Sequence, residues 1–236
     1  MSNARIAALY DIHGNLPALE AVLEEVRSLE VDLIVVGGDV VPGPMPADSL
    51  DALLHAGIPI QCIRGNGERE VLADLDGEEM LTVPEAFRPM MHWTAQQIPR
   101  AQQRVLRNWP GTLRLDVLGL GEVLFCHATP RNDVDMFTLT SPGDAALSEM
   151  LGSVDSSLVV CGHTHRQFER VLGDVRIVNA GSVGMALEGP GARWLLLDRT
   201  VQLRCTAYEV GAAATRIRAT HYPRAEEFIT GPWMGQ

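Results

Sequence analysis

Short apolar runs alternate with stretches of helical period through the first third of the chain. Ile6 to Tyr10 is continuously apolar, as expected of a strand covered on both faces. Leu19, Val22, Leu23, Val26 and Leu29 then recur at helical spacing, behind Asn15 as an N-cap and Pro17 in the first turn. Leu33 to Val36 predicts a second buried strand, a helix follows at about 48–56, and Ile60 to Ile63 makes a third strand. The order is β-α-β-α-β. Each strand runs, at its C-terminal end, into polar residues or glycines: Asp11-Ile12-His13, Gly38-Asp39 and Gly65-Asn66. Open α/β sheets place their ligands at that end.

The pattern then changes. Residues 77–110 carry no strand signal, contain Pro84, Pro89 and Pro99, and read as a helical insertion. Leu113–Val117 and Glu122–Phe125 flank a Gly-rich turn and predict a hairpin, and Ser141-Pro142 is read as capping a further helix. Strands at Leu158–Cys161, Gln167–Leu172, Val175–Val178, Trp194–Asp198 and Val201–Thr206 make the second half look like a largely antiparallel meander. From about 209 the tail reads as helical, and past Gly231 as irregular. No internal repeat, low-complexity tract or linker breaks the chain, so the expectation is one α/β domain over residues 1–236.

Composition narrows the function classes. With 46% apolar residues over 236 positions, a core forms without disulfide staples. A net charge of −11 argues against an extended nucleic-acid face, which needs clustered cations. A small anionic substrate stays compatible, because bound divalent metals reverse the local field. Cys62, Cys126, Cys161 and Cys205 form no Cys-x-x-Cys pair, sit in or beside apolar runs, and are expected as buried strand residues in a reducing compartment. Neither a signal peptide nor an apolar run near the ~20 residues of a membrane span is visible. The expectation is a soluble, cytoplasmic protein without a membrane partner. Nothing in the sequence speaks for or against a homo-oligomer.

Five segments carry the candidate chemistry. Asp11 and His13, two apart on an extended strand end, point the same way and can share a cation. Asp39 follows two glycines that permit a tight backbone path. Asn66 lies between Gly65 and Gly67, where ordinary turn chemistry is the blander explanation. His127 closes the run Val123-Leu124-Phe125-Cys126, a place where hydrogen-bonded core histidines are common. Gly162-His163-Thr164-His165 is the most specific: two histidines two apart, after a buried strand, are hard to explain structurally.

In this order the five segments resemble the calcineurin-like metallophosphoesterases, over roughly residues 5–197. The resemblance implies a four-layer α/β/β/α sandwich of two mixed sheets, with the ligand loops at one edge. It implies two divalent metal ions, manganese in preference, with iron or zinc as alternatives. Asp11, His13, Asp39 and His165 would hold the first ion, and Asp39 would bridge to a second completed by Asn66, His127 and His163. Two ions ~3.5–4 Å apart would clamp a phosphoryl group and activate a hydroxide. Asp39, His127 and Asn66 would then be catalytic, with Asn66 contacting a small phosphorylated substrate, nucleotide-like or another phosphodiester; Arg131, soon after His127, is a further candidate for a substrate phosphate contact, a solvated or salt-bridged arginine being the blander reading.

The chain departs from the family where Gly67 replaces the usual histidine of Gly-Asn-His-Asp or Gly-Asn-His-Glu, which predicts a preference for phosphodiesters and activated esters. Val-Val-Pro-Gly-Pro after Asp39 points to the small bacterial phosphodiesterase-type members and away from the protein-phosphatase branch. The competing expectations are a phosphomonoesterase or protein phosphatase, and a non-catalytic scaffold of the same fold. Arg64 and Arg69 are expected to pair with nearby acids. The segment 80–109 is expected to cover part of the cleft, with His92 and Trp93 as packing residues by default and His55 and His221 at the surface.

Overall fold

The structure, a computed structural model, describes residues 5–234. Strands β1 (Arg5–Leu9), β2 (Leu33–Val36) and β3 (Ile60–Cys62) are parallel, and β9 (Ala192–Asp198) and β10 (Thr200–Thr206) extend them antiparallel in the order β10-β9-β1-β2-β3. A second sheet has the order β4-β5-β6-β8-β7, from β4 (Thr112–Val117), β5 (Gly121–Cys126), β6 (Leu158–Cys161), β7 (Gln167–Leu172) and β8 (Val175–Ala180). All ten strands lie where the apolar runs put them. The second half is antiparallel in the sequential pairs β4-β5, β7-β8 and β9-β10, but no continuous meander forms, because β5, β6 and β8 are parallel at the centre of the second sheet. Strand periodicity reports burial and carries no information about which neighbour a strand pairs with.

Alternation along β1 shows how the layers arise. Ile6, Ala8 and Tyr10 face the second sheet and pack with Val35, Phe125 and Val160. Ala7 and Leu9 face the other way, into a helical layer with Val22, Val26 and Leu50. That layer is built from α1 (Leu16–Ser28), α2 (Pro46–Leu54), α3 (Asn66–Asp76), α4 (Arg88–Gln97), α5 (Arg100–Arg107), α7 (Val210–Ala219) and α8 (Ala225–Ile229). On the far side, Leu147 and Leu151 of α6 (Asp144–Leu151) cover Leu124, Val159 and Ile177 of the second sheet. The result is the expected α/β/β/α sandwich. Its central strands are fully buried, and each such aliphatic side chain contributes roughly 1.5–3 kcal/mol.

Four local features differ from expectation. The Gly65-Asn66-Gly67 stretch is the start of α3, where Glu68 at the third helical position accepts the Gly65 N–H as in a capping box, and Gly77 ends the helix left-handed at φ 71°. Helix α6 begins after Gly143, so Ser141-Pro142 precedes it without capping it. The tail beyond Gly231 closes in a 3-10 turn over Pro232–Met234. Of the four free cysteines, Cys126 and Cys161 are buried and Cys62 is half-buried, but Cys205 is exposed because it lies on the outward face of edge strand β10. Among the described residues no helix is long and apolar enough to cross a membrane.

Candidate metal centre

The C-terminal ends of β1, β2, β3, β5 and β6 converge on one edge of the sandwich. Backbone bonds zip the loops together: His13 N–H to Asp39 O at 2.9 Å, Gly14 N–H to Val40 O at 2.9 Å, and Gly162 N–H to His127 O at 2.8 Å. Five of the nine non-glycine residues with positive φ are Asp11, His13, Asp39, His163 and His165, at 47° to 66°. Asp and His tolerate this region better than most residues, yet each such torsion still costs of order 1 kcal/mol or more. Unfavourable torsions are therefore concentrated on the residues singled out from the sequence.

All seven of those residues come together. Asp11 groups with His13 and His165, and Asp39 groups with His127 and His163, each set offering ligand atoms within 4.8 Å of one another. Asp39 reaches both sets with separate oxygens: Oδ2 lies 3.7 Å from His13 Nε2 and Oδ1 3.5 Å from His127 Nε2. Asp11 Oδ1 is 3.4 Å from His165 Nε2 and 3.9 Å from His127 Nε2. Asn66 Oδ1 stands 3.1 Å from His127 Nε2. His163 donates its backbone N–H to Asp11 Oδ2 at 2.8 Å, and its ring meets His127 edge to face.

The donor chemistry fits divalent cations. Three imidazoles donate Nδ1–H to backbone carbonyls, His13 to Pro42 at 3.2 Å, His127 to Gly37 at 2.9 Å and His165 to Met185 at 3.2 Å. Those bonds fix the tautomers and turn the Nε2 lone pairs inward. With that tautomer on both neutral rings, His13 Nε2 and His165 Nε2 face each other at 3.0 Å as two acceptors. Among the described residues, the buried Asp11 Oδ1 has no hydrogen-bond partner. Such a set is repulsive by itself and is satisfied by a cation.

Titration follows from the same geometry. Burial, then the neighbouring His165, pushes His13 down to about 4, so it is a neutral imidazole at physiological pH. Burial, then His127, also lowers His163. Burial acts to lower His127 as well, but Asp39 and Asp11 outweigh it and hold it up at about 10. His165 is raised for the same reason, chiefly by Asp11. Burial would raise Asp11 and Asp39, yet the facing histidines bring both below the ordinary carboxylate range. Proton and cation therefore compete for His127.

Several supporting residues carried no signal in the sequence. Glu68 is fully buried, and its carboxylate accepts four backbone N–H groups: Asp39 at 2.8 Å, Val40 at 2.7 Å, Val41 at 3.1 Å and Gly65 at 2.9 Å. Burial and the adjacent Asp39 push it up to about 7 against those four donors. Asn179 holds the His163 loop through Gly162 O at 2.6 Å and Thr164 Oγ1 at 3.0 Å, and Ser182 Oγ donates to Asp11 O at 2.6 Å. The polar run Asn179-Ala180-Gly181-Ser182 after a buried strand is the cue that would have found both.

Gly67 has a specific cause. A Cβ there would stand 2.1 Å from Val41 O and 2.9 Å from Asp39 Oδ1, while the Gly67 N–H donates to Asp39 Oδ1 at 2.7 Å. The residue is helical, so the requirement is for space and not for an unusual torsion. Gly67 is built into the loop packing, and a histidine cannot be restored there without moving Val41.

The outlying candidates separate. Arg131 is exposed, lines a cavity of about 260 Å³ together with His127 and Arg64, and donates Nη1 to Glu149 O. Arg69 pairs with Asp133 and Glu70 as expected. Arg64 departs from expectation: among the described residues its guanidinium has no ion pair, because Glu68 is taken up by backbone N–H groups and Glu70 by Arg69 and Thr82. His92 is exposed and paired with Asp74, and Trp93 packs on Tyr222 with ring centres 5.2 Å apart. His55 and His221 are exposed. Phe87, Met90 and Met91 of the insertion line a second cavity with His13 and His165, whereas α5 lies on α3 and α2 away from it.

Two mixed sheets whose strand ends crowd histidines and carboxylates into one cleft define a phosphoesterase class, and this chain belongs to the calcineurin-like phosphoesterase superfamily, whose domain model matches residues 5–200. An uncharacterized protein of Methanocaldococcus jannaschii, MJ0912, is 24% identical over 100% of this chain and 98% of its own. A hypothetical protein of Pyrococcus horikoshii, PH1004, superimposes with a TM-score of 0.77 at 20% identity, covering 98% of each chain. A metallophosphoesterase from Sphaerobacter thermophilus gives 0.72 at 24% identity, covering 96% of this chain and 97% of its own. These likenesses establish the fold.

Proposed function

We propose that the chain is a phosphoester hydrolase that holds two divalent cations, manganese in preference to iron or zinc, and acts on phosphodiesters. The observation that carries this reading is the pair of three-donor groups, with Asp39 offering one oxygen to each. A donor set of carboxylate, amide and imidazole without thiolate suits manganese, iron or zinc and disfavours thiolate-seeking metals. Two such cations, when bound, supply Lewis-acid polarisation of a phosphoryl oxygen and acidify a water.

The chain's own residues do the rest. Asp39 would hold both cations, one oxygen to each, with its position fixed by the Gly67 N–H and by the Glu68 grip on its loop. Asn66 and His127 stand at the second set, and Arg64 and Arg131 line the adjoining cavity, where non-bridging phosphate oxygens would be met by guanidinium groups. No side chain fits at position 67, so the helix start supplies no proton to a departing alkoxide. General-acid help is typically worth ~10²–10⁴-fold, and an alkyl monoester needs it more than a diester with a good leaving group.

The test combines elemental analysis of manganese-reconstituted protein with steady-state kinetics on matched mono- and diesters sharing one leaving group. Two manganese ions per chain and a higher kcat/KM for the diester are expected. Failure to bind metal refutes the centre, and equal or better turnover of the monoester refutes the preference.

A further inference from the structure

On the side of His13 and His165, the metal centre opens into a cavity of about 430 Å³. Its volume lies within the ~300–1,000 Å³ usual for small-molecule sites. One wall is Phe87, Met90 and Met91 from the insertion, with Met185 from the loop after β8. Tyr222, Phe228 and Trp233 from the tail line the cavity as well. Tyr222 and Phe228 are buried, and the rings pack edge to face, Phe228 against Tyr222 at 6.2 Å and against Trp233 at 5.7 Å. Insertion and tail are tied together where the Arg224 guanidinium lies 4.6 Å from the Phe87 ring centre. Arg224 and Glu227, the charged residues of the rim, are ion-paired with each other.

Resting on the hydrolase reading above, we propose that this cavity receives an apolar alkyl or aryl ester substituent of the phosphodiester while the phosphate sits at the donor cluster. The two sides of the centre differ in kind. The His127 side is lined by Arg64 and Arg131, beside the Arg69–Asp133 ion pair, and suits anionic oxygens. The His13 side offers methionine and aromatic surface. Methionine adapts its shape to irregular apolar ligands, and the aromatic walls bury large areas. A nucleobase is a poorer occupant, because its several donors and acceptors would be stripped of water against walls with few groups to answer them. The fitting substrate is amphiphilic, with charge toward His127 and hydrocarbon toward His13.

The test uses methyl-, butyl- and octylphosphonate, whose C–P bond an ester hydrolase leaves intact, titrated calorimetrically into the manganese-loaded full chain. Affinity should rise with chain length, by up to about fourfold per methylene, the factor that corresponds to ~0.8 kcal/mol. Met90→Gln and Phe87→Ala, at wall positions away from the metal ligands, should flatten the series and leave methylphosphonate affinity unchanged. Wild-type affinity that does not rise with chain length, absent binding included, overturns the proposal, as does a dependence that survives both substitutions. Binding needs no turnover, so the two readings fail separately. A rising series without hydrolysis of methyl p-nitrophenyl phosphate faults the hydrolase reading, whereas hydrolysis with a flat series faults the cavity.

Discussion

Replacing Glu68 by glutamine changes one oxygen to an amide nitrogen and leaves the shape intact. The wild-type carboxylate accepts two N–H groups on each oxygen, Val40 and Val41 on Oε1, Asp39 and Gly65 on Oε2. Glutamine keeps one accepting oxygen, so two buried backbone donors face an NH2 group that is itself a donor. Each orphaned buried donor costs ~1–3 kcal/mol, which gives ~2–6 kcal/mol for the pair. Removing the charge works the other way, since burial and Asp39 both disfavour the ionised form. The net expectation is a loss of about 2–4 kcal/mol in the metal-free protein, a large share of the ~5–15 kcal/mol that holds a domain folded. Urea denaturation measures it, and elemental analysis should show manganese content falling in parallel, because three of the four donors lie in the loop that aims Asp39. Glu68→Gln within ~1 kcal/mol of wild type, with full metal content, would refute the reasoning.

Three further outcomes follow from the same geometry. Gly67→Ala should destabilise by ~1–3 kcal/mol and weaken metal retention, because its Cβ must displace Val41 O; thermal unfolding of the metal-loaded protein reads it, and an unchanged Tm would show that the loop yields freely. His127, held at about 10 in the fold against ~6.5 unfolded, stabilises the metal-free protein fully below pH ~6.5 and progressively less as pH rises toward 10. Cation binding displaces that proton, so the stability gained from manganese should grow by ~1.4 kcal/mol per pH unit for each proton released between pH 7 and 9, and a gain that is flat with pH counts against His127 as a ligand. Arg64→Met should raise KM for an anionic diester about tenfold or more, the loss of one charge-assisted hydrogen bond, with kcat and metal content steady; a fall in kcat alone would place Arg64 elsewhere in the cycle.

The central strands were legible because β2 and β6 are short runs buried on both faces, and burial leaves a mark on residue type, while edge strands such as β7 showed through alternation. Their pairing was not, since the parallel alignment of β5, β6 and β8 is decided by where α6 and β7 return the chain. The donor residues stood out because Asp and His at the ends of apolar strands are chemically out of place. Glu68, Asn179 and Ser182 did not, because each acts on backbone groups that are distant in sequence and ordinary in type. Helix α3 was hidden by Gly65-Asn66-Gly67, whose composition reads as a turn when the need for space at Gly67 is unseen. Arg64 misled for a similar reason: acids lie close by in the chain, but the fold commits them elsewhere.

The aromatic wall of the tail also bears on how the chain is put together. Every proposed metal ligand lies between Asp11 and His165, inside the stretch matched by the superfamily model, whereas Tyr222, Phe228 and Trp233 come after its end at residue 200. Reactive groups and the surface that greets an ester substituent are thus written in separate stretches of sequence and meet only in the folded molecule. Ala213, Ile217, Phe228 and Ile229 of the tail also fill the helical layer, so that stretch is held by packing as well as by what it presents to the cleft, while it supplies no ligand. Relatives that share Asp-x-His and Gly-His-x-His can therefore diverge in what they accept, and a comparison confined to the shared motifs would miss the difference.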